Sequence, residues 1–341
     1  MLRPPRFVST ALAFVHAHEL LLWCLHSLWA LALGVVVMWA GARNSALIRY
    51  TILYIAFLWV ASLFVPDLVD PPGQQTRWRG RLRLVINYFS KNFYQQLLFF
   101  LLPIYYASAT GWSLNLLFVA FLAASALTST FDVVYDRHLS VRRGLMAVFF
   151  AFNLFACINV ILPVLWSVSN RIAMLVSAAL AVLAFATIRY KFGDLARLQR
   201  RRQVGLAAIA LVLLVALGRP LIPPAPLRVL ATEFGQGINR GTQEVTRPLE
   251  ALSPGWSGRV YAVTSIYAPL GLSDRIGHRW YQDGHLVWAS PYYLVEGGRK
   301  EGFRLWTSAP AKDVKPGTTL RVEVWTEAGQ LVGRAEIAGQ D

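Results

Sequence analysis

Fifteen consecutive residues, Val204 to Gly218, carry no charge, and the fifteen before them, RYKFGDLARLQRRRQ, carry six cations. Arg219 and a proline cluster close the run. An apolar segment fenced in this way is most simply a helix that crosses a bilayer with its basic end held at the cytoplasmic face. The same alternation recurs upstream. Hydrophobic residues make up 56% of the 341 and charged ones 15%, well below the quarter or so of a soluble domain. These proportions point to an integral membrane protein.

Seven runs are long enough to be read as spans: Leu20–Gly41, Leu47–Val65, Asn92–Ala109, Trp112–Phe131, Gly144–Trp166, Ile172–Ile188 and Val204–Gly218. Each is expected to be helical, because an open sheet edge in lipid strands its backbone polar groups. Pro103 and Pro163 predict kinks. With the N-terminus inside, the inner segments collect 16 cations, whereas the short outer ones hold Arg43, Arg49 and Arg171. That asymmetry predicts seven crossings with the N-terminus inside and the C-terminal part outside. The first run exceeds the apolar core of a signal peptide, so an uncleaved anchor is expected rather than cleavage after Ala40–Ala42. The net charge of +15 comes largely from cations beside apolar runs. It therefore reads as membrane topology, not as a nucleic-acid surface.

Beyond Ile222 the pattern changes. Leu227, Leu230, Phe234, Ile238, Val245, Leu249 and Leu252 recur at helix-like spacing and suggest an amphipathic linker. From Gly258 the period is two: RVYAVTSIYA, RIGHRWYQ, HLVWAS, GFRLWTS, LRVEVWTE and QLVGRAEI read as strands. Asp283-Gly284, Pro316-Gly317 and Ala328-Gly329 supply turns between several of them. The expected fold class is a membrane all-α bundle of about seven transmembrane helices followed by a small extracytoplasmic antiparallel β-sandwich, Ig-like. The domains are then 1–19 as a cytoplasmic or interfacial lead-in, 20–222 as the transmembrane part, 223–257 as exit and linker, and 258–341 as the sandwich.

The segments RIGHRWYQDGHLVWAS, GFRLWTS and KPGTTLRVEVWTEAGQLVGRAEI resemble the bacterial domain-of-unknown-function family 2914. The membrane half resembles the uncharacterised family 5924 that is found in front of that domain. The resemblance implies a bacterial inner-membrane protein. It supplies no activity, substrate or catalytic residue.

Candidate sites fall in two places. In the membrane half, Asn87, Lys91 and Gln95 stand at i, i+4, i+8 and form one helical stripe, either lining a polar cavity or snorkelling at the inner boundary. Asp132 and Asp136 share a face, as an ion or proton site or as a solvated helix end paired with arginines. His26 lies inside the first run, without the spacing of a metal motif. In the tail, alternation puts Leu320, Val322 and Val324 opposite Arg321, Glu323 and Trp325, and Phe303 and Leu305 opposite Arg304 and Trp306. Trp306 and Trp325, with Arg304 and Arg321, are thus candidate outer-surface residues, free to grip a partner or covered by their own neighbours. Trp288 with Leu286, and Trp280 with Ile276, are expected inside.

Cys24 and Cys157 both fall in apolar runs, so no disulfide framework or thiolate metal site is on offer. No catalytic motif stands in its structural setting, and neither a cofactor nor a metal is expected. The lipid bilayer is the expected environment. Three functions follow from the organisation: an outer module that binds an envelope protein or glycan; a transporter or lipid-acting enzyme with a polar site in the cytoplasmic half of the bundle; or a sensor coupling the outer domain to the basic inner loops.

Overall fold

A computed structural model describes residues 25, 28–29, 31–36, 95–131, 134–139, 141–166, 168–189, 198–269 and 272–340. The lead-in, the predicted span Leu47–Val65 and most of Leu20–Gly41 lie outside the described residues. The helical part comprises α1 (Gln95–Ala107), α2 (Asn115–Thr130), a π turn (Tyr135–Leu139), α3 (Arg143–Trp166), α4 (Asn170–Arg189) and α5 (Leu198–Leu217). Leu98, Leu101, Tyr105, Leu122, Phe150 and Val160 form its principal buried cluster.

Two of these helices, over Gly144–Trp166 and Asn170–Arg189, are long and apolar enough to cross a membrane. The expectation of about seven transmembrane helices is corrected on this point: among the described residues only these two meet the requirement, and α1, α2 and the apolar part of α5 are shorter. The reason is local. The run read as Trp112–Phe131 spends its first residues in a turn in which Trp112 has a φ of 54°. In α5 the first turns are built from the basic residues up to Arg202.

The C-terminal part holds nine strands: β1 (Arg228–Asn239), β2 (Glu244–Pro248), β3 (Gly258–Tyr267), β4 (Ser273–Gln282), β5 (His285–Ala289), β6 (Tyr293–Glu296), β7 (Phe303–Ala311), β8 (Thr319–Thr326) and β9 (Leu331–Ala338). They form two antiparallel sheets. One has the order β2-β1-β3-β7; the other has β5-β4-β8-β9, with β6 also on β4. Trp280, Ile276, Ile266, Leu252, Leu320 and Val322 are fully buried between them. Alternation explains this, since β7 buries every second residue from Leu305 to Ala311 and exposes the others more. Asp283 and Gly284, with φ of 50° and 81°, make the tight turn from β4 to β5.

The amphipathic linker expected over 223–257 is also corrected, because β1 and β2 occupy 228–248 as strands. Leu230, Phe234 and Ile238 are spaced by four, which puts residues on one face of a strand as readily as of a helix. A register shift between Val229 and Ala231 then turns Leu230 outward. Leu286 likewise is exposed, while Trp288 packs against the core.

The start of β1 crosses closely over β9. A Cβ at Gly333 would stand 2.6 Å from Val229 Cγ2, so Gly333→Ala is expected to destabilise the sandwich by about 1–3 kcal/mol through overpacking. Adding Val229→Ala should recover most of that loss in a thermal melt of the same chain.

Candidate functional site

The two sheets are braced by a buried polar chain. His278 on β4 is fully buried, with Nε2 at 2.7 Å from Thr264 Oγ1 and Nδ1 at 2.7 Å from Thr307 Oγ1. The Thr264 hydroxyl donates to the Leu305 carbonyl at 3.2 Å, and Trp280 Nε1 donates to Thr307 Oγ1 at 2.8 Å. These bonds have one consistent direction. Trp280 donates to Thr307, Thr307 to Nδ1, Nε2–H to Thr264, and Thr264 to Leu305. That order assigns the neutral Nε2–H tautomer. A proton on Nδ1 as well would take away the acceptor of the Thr307 hydroxyl. Burial pushes the imidazole down to about 3. The chain is structural bracing, since no atom of it is open to a ligand.

The outer face of the β5-β4-β8-β9 sheet carries a different arrangement. The Arg279 guanidinium lies 4.5 Å from the centroid of the Trp325 ring, and its Nη2 donates to Tyr292 Oη at 3.3 Å. Trp325 Nε1 donates to Glu323 Oε2 at 2.9 Å. Arg321 Nε is 3.1 Å from Glu323 Oε1, an ion pair by distance but off the line of a hydrogen bond. Arg321 also reaches Glu336 at 3.6 Å and covers the Tyr281 ring at 4.9 Å. Antiparallel register makes this ladder, by pairing Arg279 with Glu323, Tyr281 with Arg321, and Arg321 with Glu336. Beside it, on β5 and β6, Leu286, Val287, Tyr293 and Leu294 are exposed.

Of the residues singled out from sequence, Trp325 and Arg321 share this face. Trp306 and Arg304 sit on the outer face of the other sheet, so the four do not form one surface. Both tryptophans are half-buried. Arg304 holds the β1–β2 hairpin tip through the Thr242 carbonyl at 3.0 Å and Glu244 at 3.3 Å. In the helical part Gln95 opens α1 and is buried. Asn87, Lys91, Asp132 and His26, and the side chain of Asp136, lie outside the described residues. Arg279, Tyr281 and Tyr292 were not foreseen. The parity of Arg279 and Tyr281 on β4 is readable, but the β4–β8 register that brings Arg279 beside Trp325 is not, and Tyr292 comes from the β5–β6 connection.

A third polar cluster lies where the sandwich meets the helix ends. Asp274, at the start of β4, is 5% exposed; its Oδ2 accepts the backbone N–H of Asn170 at 3.2 Å and its Oδ1 that of Arg275 at 2.8 Å. Asn170 is the first residue of α4, so a carboxylate from the sandwich meets the positive end of a helix. Around it, Asn170 Nδ2 donates to the Pro224 carbonyl at 3.3 Å and Gln330 Nε2 to the Ile222 carbonyl at 3.0 Å. Asn115 Nδ2 donates to the Leu331 carbonyl at 3.4 Å, and Arg334 Nη2 to the Gly111 carbonyl at 2.6 Å. Ala328 packs with Ile222, Val215 and Met174. Burial is the largest influence on Asp274 and outweighs the two N–H donors, pushing its carboxyl up to about 6. Asn170 Oδ1, Gln330 Oε1 and Thr110 Oγ1 are buried there without a partner, each at a cost of about 1–3 kcal/mol.

Among the described residues no group of three or more His, Cys, Asp or Glu side chains could hold a metal ion. The family described as "Family of unknown function (DUF5924)" matches residues 6–256, and "Protein of unknown function (DUF2914)" matches residues 273–337. These are the two families resembled in the sequence, in the same order along the chain. No curated protein matches.

Proposed function

We propose, from the premise that this chain belongs to the family of unknown function DUF5924 and carries a DUF2914 module at its C-terminal end, that it presents that module to a partner protein on the outer side of a bacterial inner membrane. The observation that carries the reading is the arginine–aromatic ladder on the five-stranded sheet, flanked by exposed apolar residues on β5 and β6. Arg, Trp and Tyr on a rigid sheet are the usual anchors of protein interfaces. A glycan platform needs an open ring face, whereas Trp325 is half-buried with Arg279 stacked over it.

Sidedness is supported by charge. The α1–α2 connection, the α3–α4 connection and the exit of α5 all meet the sandwich. Between residues 108 and 114, 167 and 171, and 218 and 227 they hold two cations, Arg171 and Arg219. At its opposite end α4 finishes on Arg189, the first residue of the basic segment in the sequence. By the positive-inside rule this charge distribution supports a sandwich on the outer side. Exposed Tyr106, Trp112 and Trp166 at the sandwich end fit a headgroup-level aromatic belt. Exposed Leu175, Leu183, Ile209 and Leu213 fit lipid contact.

A photoreactive phenylalanine analogue placed at Leu286 or Leu294 of the full chain in cells is expected to give a discrete adduct with an envelope protein. Arg279→Ala should lower its yield about tenfold or more, while the same probe at Glu233 on the opposite sheet gives none. Equal labelling from both faces, or an alkaline phosphatase fused after Asp341 that stays inactive, removes the proposal. A second reading, a polar transport or lipid site among the helices, is favoured by Asn153, whose amide oxygen and nitrogen are both buried without partners. Asn153→Leu separates the two, since it should leave the Leu286 adduct intact but abolish any transport activity.

A further inference from the structure

We infer that the seam between the sandwich and the first turn of α4 is a reversible latch that closes more tightly on acidification, with Asp274 as the proton-linked group. The inference is independent of which partner the module binds. Its geometric basis is that, among the described residues, the polar contacts holding the seam end on backbone groups of the facing part: Asp274 on the Asn170 N–H, Asn115 on the Leu331 carbonyl, Gln330 on the Ile222 carbonyl and Arg334 on the Gly111 carbonyl. Such bonds re-form without side-chain rearrangement on the receiving side. The closed seam also strands three buried oxygens, on Asn170, Gln330 and Thr110, which water would satisfy on opening. Closure is therefore not strongly one-sided, and a modest change in charge can tip it.

The direction of the proton linkage follows from burial. Opening returns Asp274 to water, where a carboxyl titrates near its ordinary value of 3.8; in the closed seam it is held at about 6. The closed state thus binds the proton more tightly than the open one, and proton binding favours closure as the pH falls through 6. Charged side chains on the elements around it are Arg275 on β4, Glu296 on β6, Glu327 in the β8–β9 turn and Arg171 on α4, all exposed. Arg275 and Glu327 approach each other at 4.0 Å, and the Glu327 carboxylate adds to the upward push on Asp274.

The test is hydrogen exchange of the full chain in lipid nanodiscs at pH 5.0 and 7.5, corrected for intrinsic rates, read in peptides over residues 168–176 and 326–334. Corrected exchange in both is expected to be about tenfold slower at pH 5.0. Asp274→Asn, which keeps an acceptor but cannot ionise, should be slow at both values and lose the difference. Peptides over 260–266 and 320–325 report whether the sandwich core is intact. Gln330→Ala should speed exchange at both values and keep the tenfold ratio, and this variant carries the test if Asp274→Asn does not fold. Equal rates in the wild-type chain, faster seam exchange at pH 5.0, a ratio that survives in Asp274→Asn, or a ratio lost in Gln330→Ala would each overturn the latch.

Discussion

Trp280→Ala is expected to lower the unfolding free energy of the sandwich by about 3–5 kcal/mol, the range for removing a buried large aromatic side chain. Trp280 is the largest of the fully buried side chains, set edge-on to Phe234 at 6.2 Å between centroids. Its loss leaves a cavity between the sheets and also removes the donor that Thr307 Oγ1 accepts, so the His278 chain loses its first member. Denaturant titration of the full chain, followed by tryptophan fluorescence, should show the sandwich transition moved to much lower denaturant with the helical far-ultraviolet signal retained. A shift below 1 kcal/mol would mean that the two sheets do not depend on this side chain for their packing. Trp280→Phe, which keeps most of the volume and loses the N–H, should fall between the two and so separate the cavity from the hydrogen bond.

The second large effect is in acid. His278 is neutral in the folded sandwich and held at about 3, against an ordinary 6.5 when unfolded. The unfolded chain therefore gains a proton in this interval that the folded one refuses. The stabilisation is whole above pH 6.5 and is lost on going down toward 3, by about 1.4 kcal/mol per pH unit and about 5 kcal/mol in all. Asp274 acts in the opposite direction between about 6 and 3.8, because its folded state takes the proton more readily. The wild-type stability profile should accordingly be nearly flat between these two values, falling from about 6.5 to 6 above them and from 3.8 toward 3 below them. His278→Gln should be weaker at pH 7.5, since two threonine hydroxyls lose their partner, but should resist acid better relative to its own neutral value. Asp274→Asn should steepen the wild-type fall below pH 6. A profile in which neither variant changes the slope would remove both assignments.

How much of this was legible depends on the period of the pattern. Strands β3, β4, β7, β8 and β9 follow from two-residue alternation, which no helix reproduces over eight to ten residues, and the five-residue β5 from the Asp283-Gly284 turn before it. β1 was missed because Leu230, Phe234 and Ile238 satisfy both periods, and β6 because four residues after Pro291 are too few to show any. Helix counting failed for another reason. An apolar window does not register a turn made of apolar residues, and Trp112 and Leu114 are in one.

The sites divide in the same way. That Trp325 and Arg321 share a face is a matter of parity and was readable; that Arg279 covers Trp325 is a matter of cross-strand register and was not. His278 was in plain view, two residues from both Ile276 and Trp280 and so on their buried face. An ionisable ring at such a position is itself the signal of an internal hydrogen-bonding chain. Asp274 shares that parity, so its inward side was readable too; its partner, a helix a hundred residues earlier in the chain, was not.

Ile222 is packed among the helices and Leu227 is already inside the sandwich core. The four residues between them, with three prolines, can stretch over no more than about 17 Å. The module is therefore not a tethered float. Freed from its seat, it can nod through a small arc about this short strap but cannot move far from the helix ends. On the proposed function, a partner of the sandwich must come down to the height at which the strap holds it.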